Sequence, residues 1–188
     1  MNETLRATGV CHLLLGRLLA AGQTVVDATA GNGKDTLFLA KAVGKSGKVY
    51  AFDIQAEALE KTRSLLEAHR CLEQVELIHD SHEKINDYLA EPVNGFIFNL
   101  GYLPGGDKRI TTAAGTTINA LRQAVERTAP GGIIAVVVYP GHPGGEEEAR
   151  ETEEFLSNLV SPYWHVLAWK KLNGEKAAPA LIVAYRQA

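Results

Sequence analysis

Cysteine is scarce in this chain. Cys11 and Cys71 are the only two; they fit no metal-ligand spacing and cannot staple a disulfide-dependent fold. Reduced thiols, no bound metal and a cytoplasmic setting are therefore expected. Long apolar runs are missing too. Leu13-Leu14-Leu15 is broken at once by Gly16-Arg17, so neither a membrane-spanning helix nor a secretory leader is expected. Neither charge sign dominates. Nineteen Lys and Arg face 22 Asp and Glu, a formal net charge of −3. That excludes a broadly basic surface, and a polyanionic partner would have to be held by a local patch. Repeats, low-complexity tracts and linkers are absent. The 188 residues, 46% of them apolar, are expected to form one domain spanning 1–188, with an N-terminal helix within 1–21 packed on it.

The organising stretch is Val25-Val26-Asp27-Ala28-Thr29-Ala30-Gly31-Asn32-Gly33-Lys34-Asp35-Thr36. A β-branched run enters a glycine-rich turn, and a helical pattern leaves it, which is the opening unit of a nucleotide-binding α/β fold. Around it the patterning predicts helices over Thr4–Ala21, Lys34–Val43, Ala56–His69, Thr116–Ala129 and Glu146–Val160. Strands are predicted over Thr24–Ala28, Lys48–Ile54, Val75–Ile78, Phe96–Leu100, Ile133–Tyr139, Trp164–Leu172 and Ala180–Tyr185. Pro130-Gly131-Gly132 reads as a turn, as does the stretch around Asn173-Gly174. Strands alternating with helices, then a terminal hairpin, imply a mostly parallel seven-stranded sheet, helices on both faces and an antiparallel last strand. In such sheets ligands sit beyond the carboxyl ends of the strands. The glycine turn, Asp53, Asp80-Ser81-His82 and the residues from Asn99 onward all fall at that edge.

The P-loop pattern fails, and the dinucleotide fingerprint lacks its third small residue at Thr36. What fits is Asp-x-x-x-Gly-x-Gly from Asp27 to Gly33, with Asp53 placed to take two ribose hydroxyls. Acids lining the turn would repel a pyrophosphate but suit the cationic tail of S-adenosylmethionine. The expected cofactor set is Asp27, Gly31, Asn32, Gly33, Asp35, Thr36, Asp53, Gln55, Ser81, His82 and Asn99. Asn99-Leu100-Gly101-Tyr102 copies the outline of the Asn-Pro-Pro-Tyr motif of amine methyltransferases, in its first and fourth positions. In that motif the polar side chain and a following carbonyl accept hydrogens from the target amine, and the aromatic ring stacks on the base.

These stretches, together with Leu103-Pro104-Gly105-Gly106-Asp107-Lys108 and Tyr139-Pro140-Gly141-His142-Pro143-Gly144-Gly145, resemble the YtqB-like (MnmM-type) tRNA wobble-uridine methyltransferases, a family also labelled rRNA methylases. The resemblance covers essentially the whole chain. It implies a class I, Rossmann-like methyltransferase that takes a methyl group from S-adenosylmethionine. The implied acceptor is the 5-aminomethyl group of 5-aminomethyl-2-thiouridine at position 34, and the implied partner a tRNA anticodon loop. A homodimer is among the expected assemblies. Asn99, Tyr102 and His142 become the catalytic candidates, with Asp107 or water as other proton acceptors. Leu100, Gly101, Tyr102, Asp107, Lys108 and Arg109 become the substrate-binding candidates. The residues alone leave three alternatives: rRNA as substrate, a small-molecule amine as substrate, or a non-catalytic nucleotide-binding module.

Overall fold

A computed structural model of the chain describes residues 3–107, 109–173 and 178–188. Lys108, named above as a substrate contact, and Gly174 of the last predicted turn lie outside the described residues. The elements run α1 (Ala7–Leu18), β1 (Thr24–Asp27), α2 (Lys34–Val43), β2 (Lys48–Asp53), α3 (Ala56–Ala68), β3 (Val75–His79), α4 (Ile85–Tyr88), β4 (Val93–Asn99), α5 (Ala114–Arg127), β5 (Thr128–Val138), α6 (Gly145–Ser157), β6 (Trp164–Trp169) and β7 (Ala180–Arg186). The sheet order is β3-β2-β1-β4-β5-β7-β6. Strands β1 to β5 pair in parallel, and β7 lies antiparallel between β5 and β6.

Alternation along the strands sorts side chains into two cores. Val26, Phe52, Phe96, Phe98, Ile134 and Val136 face one side, against Leu121 of α5 and Leu156 of α6. Val25, Val49, Ile97, Ile133, Ala135 and Val137 face the other, against Leu15 of α1, Leu39 of α2 and Leu66 of α3. Each large apolar side chain so buried stabilises the fold by about 1.5–3 kcal/mol relative to exposure. Both faces are covered, so β4 and β5 must read as continuous apolar runs.

Some boundaries differ from the sequence expectation. The first helix is shorter than Thr4–Ala21, because a 3₁₀ turn at Glu3–Leu5 precedes it and Leu19 is already extended. A 3₁₀ turn at His82–Lys84 and the four-residue α4 were not foreseen; four residues carry too little periodicity to signal a helix. Strand β5 starts at Thr128, ahead of the glycines read as a turn. The pairing jumps from Val93–Thr128 to Gly95–Ile133, so residues 129–132 form a bulge. There a Cβ on Gly132 would sit 2.7 Å from Thr128 Cγ2.

The topology places the site. From β1 the chain winds outward through β2 and β3, then crosses back to β4 on the other flank of β1. The loops after β1 and β4 therefore diverge, and they leave a crevice at the carboxyl ends of the strands.

Candidate active site

That crevice is a cavity of about 510 Å³, walled by the segments following β1, β2, β3, β4 and β5. From the glycine turn and α2 come Gly31, Asn32 and Asp35; from the end of β2, Asp53 and Gln55; from the end of β3, Ser81 and His82. The loop after β4 adds Asn99, Leu100, Gly101 and Tyr102, and the loop after β5 adds His142. The cavity thus gathers twelve of the expected site residues from five separate stretches.

Three expected cofactor contacts are absent from the cavity wall. Asp27 is fully buried beneath the turn. Its Oδ1 accepts from the Thr29 N–H at 3.1 Å and its Oδ2 from the Thr36 hydroxyl at 2.6 Å, so it shapes the turn rather than meeting a ligand. Thr36, also fully buried, is spent on that bond. Gly33 takes φ +79° at the start of α2, and its open side faces α3, where a Cβ would lie 2.9 Å from Thr62 Cα. Its missing side chain serves helix packing. Asp107 and Arg109 lie outside the lining as well and pair with each other at 2.6 Å. Arg109 holds the Asp107 carboxyl below the usual carboxylate range, which makes it a poor proton acceptor.

Burial, reinforced by the neighbouring Asp35 charge, pushes the Asp27 carboxyl well up. The unfolded chain releases this proton at the ordinary value and the folded chain only at higher pH. Between the two the folded state binds more protons, so this group's contribution to stability falls as pH rises. Each pK unit of the upward shift is worth about 1.4 kcal/mol. Asp27→Asn keeps an acceptor for Thr29 and offers Thr36 a donor. Its stability relative to wild type should climb between about pH 4 and pH 7, measured by thermal melts at matched ionic strength. A pH-independent difference would contradict the assignment.

Asp53 ends β2 and uses its carboxylate twice. Oδ2 accepts from the Gly31 N–H and Oδ1 from the Gln55 N–H, both at 2.9 Å. A carboxylate offers roughly four acceptor positions, so two remain for a ligand. Asp80 also lines the cavity, held below its usual pKa first by Lys84. Against Asp35, Asp53 and Asp80, Lys34 is the sole lysine or arginine among the described lining residues. Such a wall suits a cationic, phosphate-free ligand.

His82 supplies a direct sign of a missing partner. Its Nδ1 lies 3.2 Å from the Ala28 carbonyl and donates to it. Burial favours the neutral imidazole, so Nε2 is a buried acceptor, and it has no hydrogen-bond partner among the described residues. A nucleobase amino group would satisfy it.

Asn99 is gripped on two sides. Its N–H donates to Thr29 Oγ1 and its Nδ2 to Asp35 Oδ2, both at 2.8 Å. With the amide nitrogen engaged, Oδ1 is left as an acceptor at the cavity wall. The loop beyond folds back through a bridge between Tyr102 and Thr111. The Gly101 N–H donates to Thr112 Oγ1 at 2.8 Å. That hydroxyl donates to Glu148 Oε2 at 2.8 Å, and Thr117 donates to Glu148 Oε1 at 2.6 Å. Tyr102 is 40% exposed, its ring edge-on to His142. His142 Nδ1 donates to the Pro143 carbonyl at 3.0 Å. Its Nε2 is buried without a hydrogen-bond partner among the described residues, 3.9 Å from Glu148 Oε2.

Thr29, Thr111, Thr112, Tyr139 and Glu148 escaped the sequence reading. Thr29 sits inside the first motif and could have been singled out as a small hydroxyl at a strand end. Glu148 lies in the run Glu146-Glu147-Glu148, with nothing to mark one glutamate as the buried one.

Comparison with known proteins finds methyltransferases of this fold. Residues 49–185 match the family model described as "Putative rRNA methylase". The chloroplastic tRNA (mnm(5)s(2)U34)-methyltransferase of Arabidopsis thaliana is 42% identical over 192 residues, which cover 97% of this chain and 70% of that protein. A crystal structure titled as a "putative rRNA-methylase" from Clostridium thermocellum superposes with a TM-score of 0.93 at 40% identity, covering 96% of this chain and 97% of that one. A Streptococcus mutans protein titled "a putative methyltransferase", solved in complex with SAH, gives a TM-score of 0.87 at 37% identity, covering 96% and 98%.

Proposed function

The chain belongs to the rRNA methylase family, and from that premise we propose that it N-methylates the 5-aminomethyl group of 5-aminomethyl-2-thiouridine at wobble position 34 of tRNA. The product is 5-methylaminomethyl-2-thiouridine, the methyl donor S-adenosylmethionine, the macromolecular partner a tRNA anticodon loop, and the setting cytoplasmic. The single observation that carries this reading is Asn99, whose amide nitrogen is tied to Asp35 beside the cavity walled by Gly31 and Asp53.

The donor set fits the cofactor. Asp53 would hold the ribose hydroxyls, His82 and Ser81 would border the base, and the acidic wall at Asp35 would face the charged tail. When bound, S-adenosylmethionine supplies an electrophilic methyl group. The protein's part is to deliver a neutral, oriented nitrogen. An alkylamine is mostly protonated at neutral pH, so a proton must leave first. Asn99 Oδ1 accepts an N–H of the neutral amine and aims its lone pair; an amide cannot remove the proton. The proton goes to water or to His142, whose ring borders the cavity. Tyr102 stacks on the splayed wobble base, a contact worth about 1–3 kcal/mol. Leu100 and Gly101 present backbone at the same place, and Arg109, outside the cavity wall, would meet a phosphate in exchange for its pairing with Asp107.

Nucleoside mass spectrometry of tRNA from cells lacking the gene should show 5-aminomethyl-2-thiouridine accumulating and its methylated form gone. The purified protein with S-adenosylmethionine should restore the methylated nucleoside in that tRNA. An unchanged nucleoside profile would refute the proposal.

A further inference from the structure

Asp35 has a second partner that no role above uses. His12, on α1, brings Nε2 to 2.6 Å from Asp35 Oδ1, while Asp35 Oδ2 accepts from Asn99 Nδ2 at 2.8 Å. The His12 ring lies flat on Phe38 of α2, with centroids 4.2 Å apart and planes 3° from parallel. Asp35 itself is 8% exposed. Three side chains from α1, α2 and β4 thus form one line ending at the residue that faces the amine.

We propose that His12 is a positioning residue for methyl transfer, holding the Asp35 carboxylate so that Asn99 presents its oxygen, not its nitrogen, to the substrate amine. The inference rests on the reading of Asn99 given above. The two ends of an asparagine amide have nearly the same shape and differ in what they bond. Which end faces the cavity is therefore decided by the partner behind it. A carboxylate held at one oxygen by an imidazole N–H cannot swing freely, so its other oxygen stays within reach of the Asn99 NH₂. Without His12, Asp35 is free to rotate, and Asn99 loses the contact that sets its orientation. An NH₂ turned toward the amine offers a donor where an acceptor is needed. The flat stack on Phe38 fixes the imidazole in turn. The other inward residues of α1, Ala7, Cys11 and Leu15, contribute packing alone; His12 connects that helix to the chemistry.

His12→Phe keeps a ring for Phe38 and removes the N–H; His12→Gln returns a donor at a similar reach. The Phe variant should lose about tenfold or more in kcat. Its KM for the tRNA and its affinity for S-adenosylmethionine should stay within about twofold. The Gln variant should recover most of the loss. A helix anchor alone would lower melting temperature and leave kcat of the folded fraction intact. The second readout needs no activity. In ¹⁵N NMR of the cofactor-free protein, the Asn99 side-chain NH₂ should be shifted and slow to exchange in wild type and in His12→Gln, and fast in His12→Phe. An unchanged Asn99 amide signal in His12→Phe, or wild-type kcat there, would overturn the proposal. If wild-type protein leaves 5-aminomethyl-2-thiouridine tRNA unmethylated, the functional reading falls, and the amide signal still decides whether His12 orients Asn99.

Discussion

Asn99→Ala should lower the single-turnover rate of methyl transfer by about 10²- to 10³-fold, with S-adenosylmethionine affinity within about threefold of wild type. The side chain is held at its nitrogen by Asp35 and its backbone by Thr29, so its oxygen is pre-oriented and costs no reorganisation when the amine arrives. A preorganised polar group in a partly enclosed site is worth far more than one in water. The alanine variant retains the cavity, the acidic wall and the aromatic Tyr102, so binding survives while the lone pair loses its aim. It also leaves Asp35 Oδ2 without its donor, at a stability cost of about 1–3 kcal/mol. Rates are therefore compared on the folded fraction, alongside calorimetric titration of the cofactor. Turnover at the wild-type rate would show that this strand end does not present the amine.

Asp53→Ala should weaken S-adenosylmethionine binding by about a hundredfold, since hydrogen bonds to a charged group are worth about 1.5–3 kcal/mol each. Two losses add. The ribose hydroxyls lose their acceptor, and the Gly31 and Gln55 N–H groups lose the carboxylate that now fixes them. Unpinning Gly31 loosens the turn that bare backbone needs to meet a ligand. Asp53→Asn, which keeps one acceptor oxygen, should fall between. Calorimetry with S-adenosylmethionine, and with NAD as a control, measures both effects; unchanged affinity in the alanine variant would remove Asp53 from the cofactor site.

Much of this is legible in the chain alone. Val25-Val26 running into Gly31 and Gly33 announces strand, turn and helix, because each of those residues is selected by its own backbone geometry. The cluster at the carboxyl edge follows from alternation of strands and helices, and Asp53 follows from its place at the end of β2. The N-terminal helix was legible as an element, but its histidine was not. His12 meets Asp35 across 23 positions of sequence, and nothing in a leucine-rich helix announces which neighbour a single polar side chain will find. Glu148 shows the same limit. It is buried under two threonine hydroxyls from another part of the chain, while the glutamates beside it are exposed.

Asp27 and Asp53 mark the boundary most clearly. Both end a parallel strand beside the same turn, and in the chain both read as ligand contacts. The sequence by itself determined that acids stand at this rim, that glycines bend the chain there, and that the fourth strand ends on an amide before an aromatic. Only the tertiary structure decided that Asp27 is sealed under Thr29 and Thr36 while Asp53 stays on the cavity wall. The physical reason is that backbone conformation is set by residues close in sequence. Burial, and with it charge state and freedom to bind, is set by whatever the fold brings alongside.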